Sequence, residues 1–396
     1  MKKLFFMLVL ATPTVFQAMI VHHKQKKIDP CLYLPAPYSW RYQFNTIDKE
    51  DLNKRAGYDM RLTLLEDNRP SIKHGRPTVK LHGFGDNVDN VKASHEHGYL
   101  YNRGDVIVFT FKDAASGYSL KEANFGQEED IRSTILVLSA LHRAKIKAWD
   151  TDGHSRGGAV STNTIGVLNK PTTYWLNKFK EFGLADEEQI AILKKMQKGT
   201  ILLNCPLQSV KTVVNSKVEK GVDICTDTVL SKVPSSSFSI GSFLNTMSFG
   251  IPSALLSASR ASTISSIESI AEYSVMPLVT GYRPWGEEAI TSLDNWDGLK
   301  MATLLHFQRD DEVISNKDNV EFAKKLIKHN PTETFVVLAY NGGHNYGFVT
   351  IEKIIDNFNF NYGGSYDSNK INNNGVAILN QSQPTVDMVE QYFDKK

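Results

Sequence analysis

Cysteine is scarce: Cys31, Cys205 and Cys225 are the whole complement of a 396-residue chain. An odd three cannot build a disulfide scaffold. Cys205 and Cys225 could close one loop in an oxidising compartment, leaving Cys31 single, or all three could stay thiols. No C-x-x-C and no Cys/His cluster has zinc-ligand spacing, so no metal is expected. An excess of one charge is also missing. Lys+Arg 45 against Asp+Glu 43 leaves +2, which gives no electrostatic footprint for nucleic acid. Among the histidines, Ser94-His95-Glu96-His97 is the one dense His/Glu patch, and it reads as a solvated loop. Histidines two apart do not match the helical H-E-x-x-H arrangement.

A membrane-spanning run is absent from the N-terminus as well. The apolar stretch from Leu4 to Ala11 is short, and Thr12, Pro13, Thr14 and Gln17 keep it from extending. Lys2 and Lys3 precede it, so residues 1–18 read as a secretory signal, with export to the periplasm, cell surface or medium. The remainder is ordinary globular material, 41% hydrophobic and 22% charged, and long enough to bury a large core.

Residues 28–76 carry Pro30, Pro35, Pro37 and Pro70 and read as loops with two or three short strands, the last over 58–65. From there apolar strand runs alternate with helical spacing. Strands are expected at 77–81, 105–111, 145–151, 200–203, 301–307 and 334–338. Helices are expected at 128–143, 156–169, 174–182, 186–198, 319–329 and 348–358. Such alternation predicts an α/β fold with a mostly parallel central sheet flanked by helices. The alternation pauses over 206–297, a stretch of small apolar residues with Ser235-Ser236-Ser237 and helical spacing near Leu255, Leu256, Ile264, Ile267 and Ile270. A pause that long inside a compact domain predicts a largely helical cap. The expected plan is a signal over 1–18, a core over 28–205 and 298–360, the cap over 206–297, and a C-terminal tail over 361–396. That tail should be irregular until a short helix near 386–393.

The chemistry centres on Gly153-His154-Ser155-Arg156-Gly157-Gly158. This is G-x-S-x-G, the sequence form of a nucleophile elbow, where a serine is held clear on a sharp strand-to-helix turn and side chains two positions away would collide. Helix N–H groups just beyond it suit a developing oxyanion. Upstream, His82-Gly83-Phe84-Gly85 ends a strand on glycines that allow close backbone approach. Downstream, Asp310-Asp311-Glu312-Val313-Ile314 follows one apolar strand and Asn341-Gly342-Gly343-His344-Asn345 the next. Acids and a histidine at the C-terminal ends of strands lie where open α/β sheets place working groups.

With the elbow, the H-G-x-G loop and the order Ser, Asp, His, the chain resembles the α/β-hydrolase superfamily from about Thr78 to Phe358, without resembling one member in particular. The resemblance implies that Ser155 is the nucleophile, His344 the base and Asp311 the orienting acid. Asp311 fits the frame D-x-V-V/I, and Asp310 stands one residue outside it. It also implies oxyanion donors from the backbone N–H groups of Phe84 and Arg156, and two-step acyl transfer without metal or organic cofactor. A carboxylic or lipid ester leads as substrate. A peptidase or thioesterase on the same residues is the alternative within enzymes, and a secreted binding protein that has lost turnover the alternative outside them. The partner is then a small-molecule or lipid ester, with the cap as the place for any peripheral membrane contact.

One feature departs from the family pattern. Lys145, Lys147, Asp150 and Asp152 charge the expected elbow strand, where unpaired charges would be very costly. Either that strand is short or its aspartates have partners.

Overall fold

The structure, a computed structural model, describes residues 39–67, 76–96, 105–115, 117, 119–210, 276–283, 289–308, 311–329, 334–339, 344 and 376–380, with the single residues 213, 269 and 273. Its strands are β1 (Thr63–Leu65), β2 (Thr78–Leu81), β3 (Val106–Val108), β4 (Asp150–His154), β5 (Thr200–Asn204), β6 (Ala302–Gln308), β7 (Thr334–Ala339) and β8 (Val376–Asn380). They form one eight-stranded sheet in the order β1-β3-β2-β4-β5-β6-β7-β8. From β3 through β7 every neighbouring pair is parallel. The flanking strands β1 and β8 are antiparallel. The expected mostly parallel α/β sheet is the one observed. β2, β3 and β4 are buried at every position, as strands covered on both faces must be.

The lead-in departs from expectation. Its last expected strand is present as β1, but ahead of it stand two helices, α1 (Ser39–Asn45) and α2 (Lys49–Ala56). The signals were local. Asp48 caps α2 through its side chain, Leu52 and Ala56 are buried one turn apart, and Gly57 ends the helix at φ 78°. In α1, Trp40 and Phe44 share the same spacing and both join the main core. Arg41 ties this segment to the sheet, reaching Asp105 with two nitrogens and Glu66 with a third at 2.9 Å. The patch Ser94–His95–Glu96 is not a loop. It closes helix α3 (Val88–Glu96), whose Val88 and Val91 are buried against β1 and β3. The short helix α4 (Lys112–Ala115) follows β3.

The next helices match their periodicity closely: α5 (Glu128–Arg143), α6 (Arg156–Asn169), α7 (Thr173–Glu181) and α8 (Asp186–Gln197). α5 begins Glu128-Glu129-Asp130 and ends His142-Arg143, which complements the helix dipole at both ends. Its Ile131, Ile135, Leu138 and Leu141 are fully buried, each worth about 1.5–3 kcal/mol of transfer free energy.

Both resolutions of the charged elbow strand hold. β4 starts only at Asp150, and Lys145 and Lys147 are exposed ahead of it. Both aspartates are then paired. Asp150 accepts from Arg76 Nε and from the Thr200 N–H, each at 2.7 Å. Asp152 lies directly across from Lys80 on β2 and accepts from its Nζ at 2.8 Å.

Downstream come α9 (Met276–Val279) and α10 (Asn316–His329). The last part of the expected cap belongs to the core instead. Ile290, Leu293 and Trp296 sit in the main cluster, and Trp296 Nε1 donates to Thr162 O on α6 at 2.9 Å. Most of the remaining cap stretch, with Leu255 and Ile267, lies outside the described residues, as do 1–38, the expected helix at 348–358 and the short one near 386–393. The tail is not wholly irregular. β8 lies in it and pairs with β7 from Phe335↔Asn380 to Ala339↔Val376. Val376-Ala377-Ile378-Leu379 is an apolar run inside an Asn-rich stretch, and an available sheet edge decides its conformation.

Candidate active site

Ser155 stands between β4 and α6 at φ 50°, ψ −114°, a strained conformation for a non-glycine residue that costs on the order of 1–3 kcal/mol. The surroundings hold it there. Its N–H donates to Asn204 O at 2.9 Å, and its carbonyl accepts from Gly158 N at 2.9 Å and Leu207 N at 3.0 Å. The two elbow glycines are required by contact rather than by dihedral angle. A Cβ on Gly153 would lie 2.4 Å from Gly157 O, and one on Gly157 would lie 1.9 Å from Leu81 O.

The structure brings the three expected residues into one chain of contacts. His344 Nε2 is 2.8 Å from Ser155 Oγ, and His344 Nδ1 is 2.8 and 3.1 Å from the two oxygens of Asp311. Asp311 is buried, and its Oδ1 also accepts from the N–H groups of Val313 and Ile314, both at 2.8 Å. A carboxylate can only accept, so the proton of neutral His344 belongs on Nδ1. That leaves the Nε2 lone pair facing the serine hydroxyl. Asp310 lies outside the described residues.

Two neighbours went unnoticed in the sequence. Glu312 Oε2 accepts from the His344 N–H at 3.0 Å, and His154 Nε2 donates to the His344 carbonyl at 3.3 Å. Together they hold both ends of the residue that carries the imidazole. Burial and the nearby His344 push the His154 pKa well down, so it stays neutral. His154 also belongs to a polar row across the sheet, in register with Asn204 and, beyond it, His306. His306 Nδ1 is 2.6 Å from Asn204 Oδ1, and burial pushes its pKa down to about 3.

The loop after β2 is organised by buried polar groups. The Phe111 N–H points at His82 Nε2 at 3.5 Å, which places the His82 proton on Nδ1, 3.0 Å from Gly83 O. Burial, with Arg156 adding to it, pushes the His82 pKa down to about 3. Arg156 is wholly buried. Its Nη1 donates to Asp113 at 2.7 Å, its Nη2 lies 3.5 Å from Gly83 O, and its guanidinium lies 4.5 Å from the Phe111 ring. Because the peptide is planar, fixing the Gly83 carbonyl also fixes the direction of the Phe84 N–H. No single position in the sequence signals the Arg156–Asp113 pair. Among the described residues one group has metal-ligating potential: the thiol of Cys205 converges with Asp311 and His344, all three buried.

Sheet order, elbow and chain order of the three residues define an α/β-hydrolase fold. No family model matches the sequence, and no curated protein does. Among solved structures, MenH from S. aureus is similar at 16% identity and a TM-score of 0.39, over 75% of this chain and 97% of that one. The Pyrococcus furiosus esterase Pf2001 is similar at 14% identity and a TM-score of 0.41, over 79% and 94%. MGS-M2, an alpha/beta hydrolase enzyme from a Medee basin deep-sea metagenome library, is similar at 11% identity and 0.41, over 78% and 97%. Likenesses this remote carry no weight for the chemistry, which rests on the geometry.

Proposed function

We propose that the chain is a serine hydrolase that cleaves a carboxylic ester by two-step acyl transfer. The observation that carries this reading is the continuous contact Ser155 Oγ, His344 Nε2, His344 Nδ1, Asp311 carboxylate, anchored on a strained elbow. His344 takes the serine proton as Oγ attacks the carbonyl carbon. The oxyanion is met by the N–H groups of Phe84 and Arg156, and the imidazolium is stabilised by Asp311. His344 then protonates the leaving alcohol. Water, deprotonated by the same imidazole, releases the acid and restores Ser155.

An ester in place of a peptide is favoured by the small apolar composition of 206–289, which we take to cover an acyl pocket. A fluorophosphonate probe tests the reaction class. Mass spectrometry should locate one adduct on the peptide containing Ser155, and an adduct on another serine, or none, sinks the proposal. A p-nitrophenyl ester series from acetate to palmitate tests the substrate. A charged residue at Leu255 or Ile267 should shift the chain-length preference. A profile left untouched by both changes removes the acyl-cap argument.

A further inference from the structure

We propose that Cys205, Asp311 and His344 form an inhibitory site for a soft divalent cation such as zinc(II), and that the metal silences Ser155 by taking Nδ1 of His344. The effect on turnover rests on the hydrolase reading above, whereas the metal site itself does not.

The donor set is a thiol, an imidazole and a carboxylate, all buried, with their ligating atoms within 4.8 Å of one another. Sulfur and nitrogen donors together select zinc and its soft neighbours over magnesium or calcium. Nδ1 and the nearer Asp311 oxygen are already 2.8 Å apart. Two ligands of one tetrahedral zinc stand about 3.3 Å apart, so movements on the order of 1 Å complete the site. Thiolate plus carboxylate balance the charge of the ion, which offsets the penalty of burying it. The fourth position falls to water.

The consequence for catalysis comes from counting protons. The ion displaces the thiol proton of Cys205, which leaves to solvent. It also displaces the Nδ1 proton of His344, which reappears on Nε2, so the imidazole stays neutral and one proton is released per ion bound. An Nε2–H then faces Ser155 Oγ, and no lone pair remains there to accept the serine proton. The enzyme is held in the wrong tautomer with its nucleophile intact.

Two readouts test this on the full chain in reducing buffer, with wild type and Cys205→Ser compared and Cys205→Ala as the second variant should the first melt early. Cobalt(II) should produce a near-ultraviolet thiolate-to-metal charge-transfer band in wild type that both variants lack. In ~100 µM zinc(II), hydrolysis of p-nitrophenyl butyrate by wild type should fall at least about tenfold and recover with EDTA, while the variants change less than about twofold. Absence of the band, or equal inhibition of wild type and variants, overturns the proposal. A band without inhibition overturns the tautomer switch. A Cys205-dependent band on a protein that hydrolyses no ester leaves the metal site standing and removes the hydrolase reading instead.

Discussion

Lys80 and Asp152 face each other across β2 and β4 with side chains only 3% and 4% exposed, in the strand that carries Ser155. Replacing Lys80 by Met keeps most of the side-chain volume and removes the cation. Asp152 is then an ionised carboxylate in the middle of a sheet, with its 2.8 Å partner gone. Breaking one side of such a pair costs about 3–5 kcal/mol, because the remaining charge keeps its desolvation penalty and loses its compensation. Against a net stability of about 5–15 kcal/mol, that is about a fifth of the total or more. Removing both charges is a different matter. Lys80→Met with Asp152→Leu deletes the attraction and both desolvation penalties, and should return to within about 2 kcal/mol of wild type. Urea unfolding at pH 7.5, followed by tryptophan fluorescence and extrapolated linearly, reads all four corners of the cycle. A single-variant loss below about 1 kcal/mol refutes the reasoning. So does a double variant no more stable than Lys80→Met alone.

Asp311→Asn should lower kcat by about four orders of magnitude with unchanged melting, since the amide favours the wrong His344 tautomer; equal loss of fold and activity would assign Asp311 a structural role. His82 gives acid sensitivity of defined sign. Its pKa is pushed down to about 3 in the fold from an ordinary 6.5, so below pH 6.5 the unfolded chain gains a proton that the folded chain refuses. Its contribution is complete above pH 6.5 and should shrink by about 2 kcal/mol by pH 5. His82→Gln should flatten the stability–pH slope in that window by this amount, and an unchanged slope removes the argument. Gly157→Ala places a carbon 1.9 Å from Leu81 O, so soluble yield or melting temperature should fall steeply, whereas wild-type-like stability would show that the elbow can shift.

What local sequence determined here is whatever depends on neighbours along the chain. Helices α5 and α6 arise from apolar spacing, because one helical face needs no information from elsewhere. The elbow is legible because Gly153 and Gly157 approach within one turn of chain, so the exclusion of a Cβ at Gly153 is written in five consecutive residues, although the one at Gly157 comes from Leu81 on β2. Asp311 and His344 were legible as residues at strand ends, a consequence of how parallel sheets open at one edge. The helices α1 and α2 were equally local and were obscured by nearby prolines. Tertiary structure decided the rest. Whether Asp152 was tolerable depended on strand register placing Lys80 opposite it, 72 residues away in sequence. The Arg156–Asp113 pair, the hold of Glu312 and His154 on His344, and the approach of Cys205 to Asp311 are likewise contacts between segments far apart in the chain. β8 became a strand because β7 offered an unpaired edge. Each of these joins groups that no local spacing connects, and only closure of the chain reveals which buried charge meets which partner.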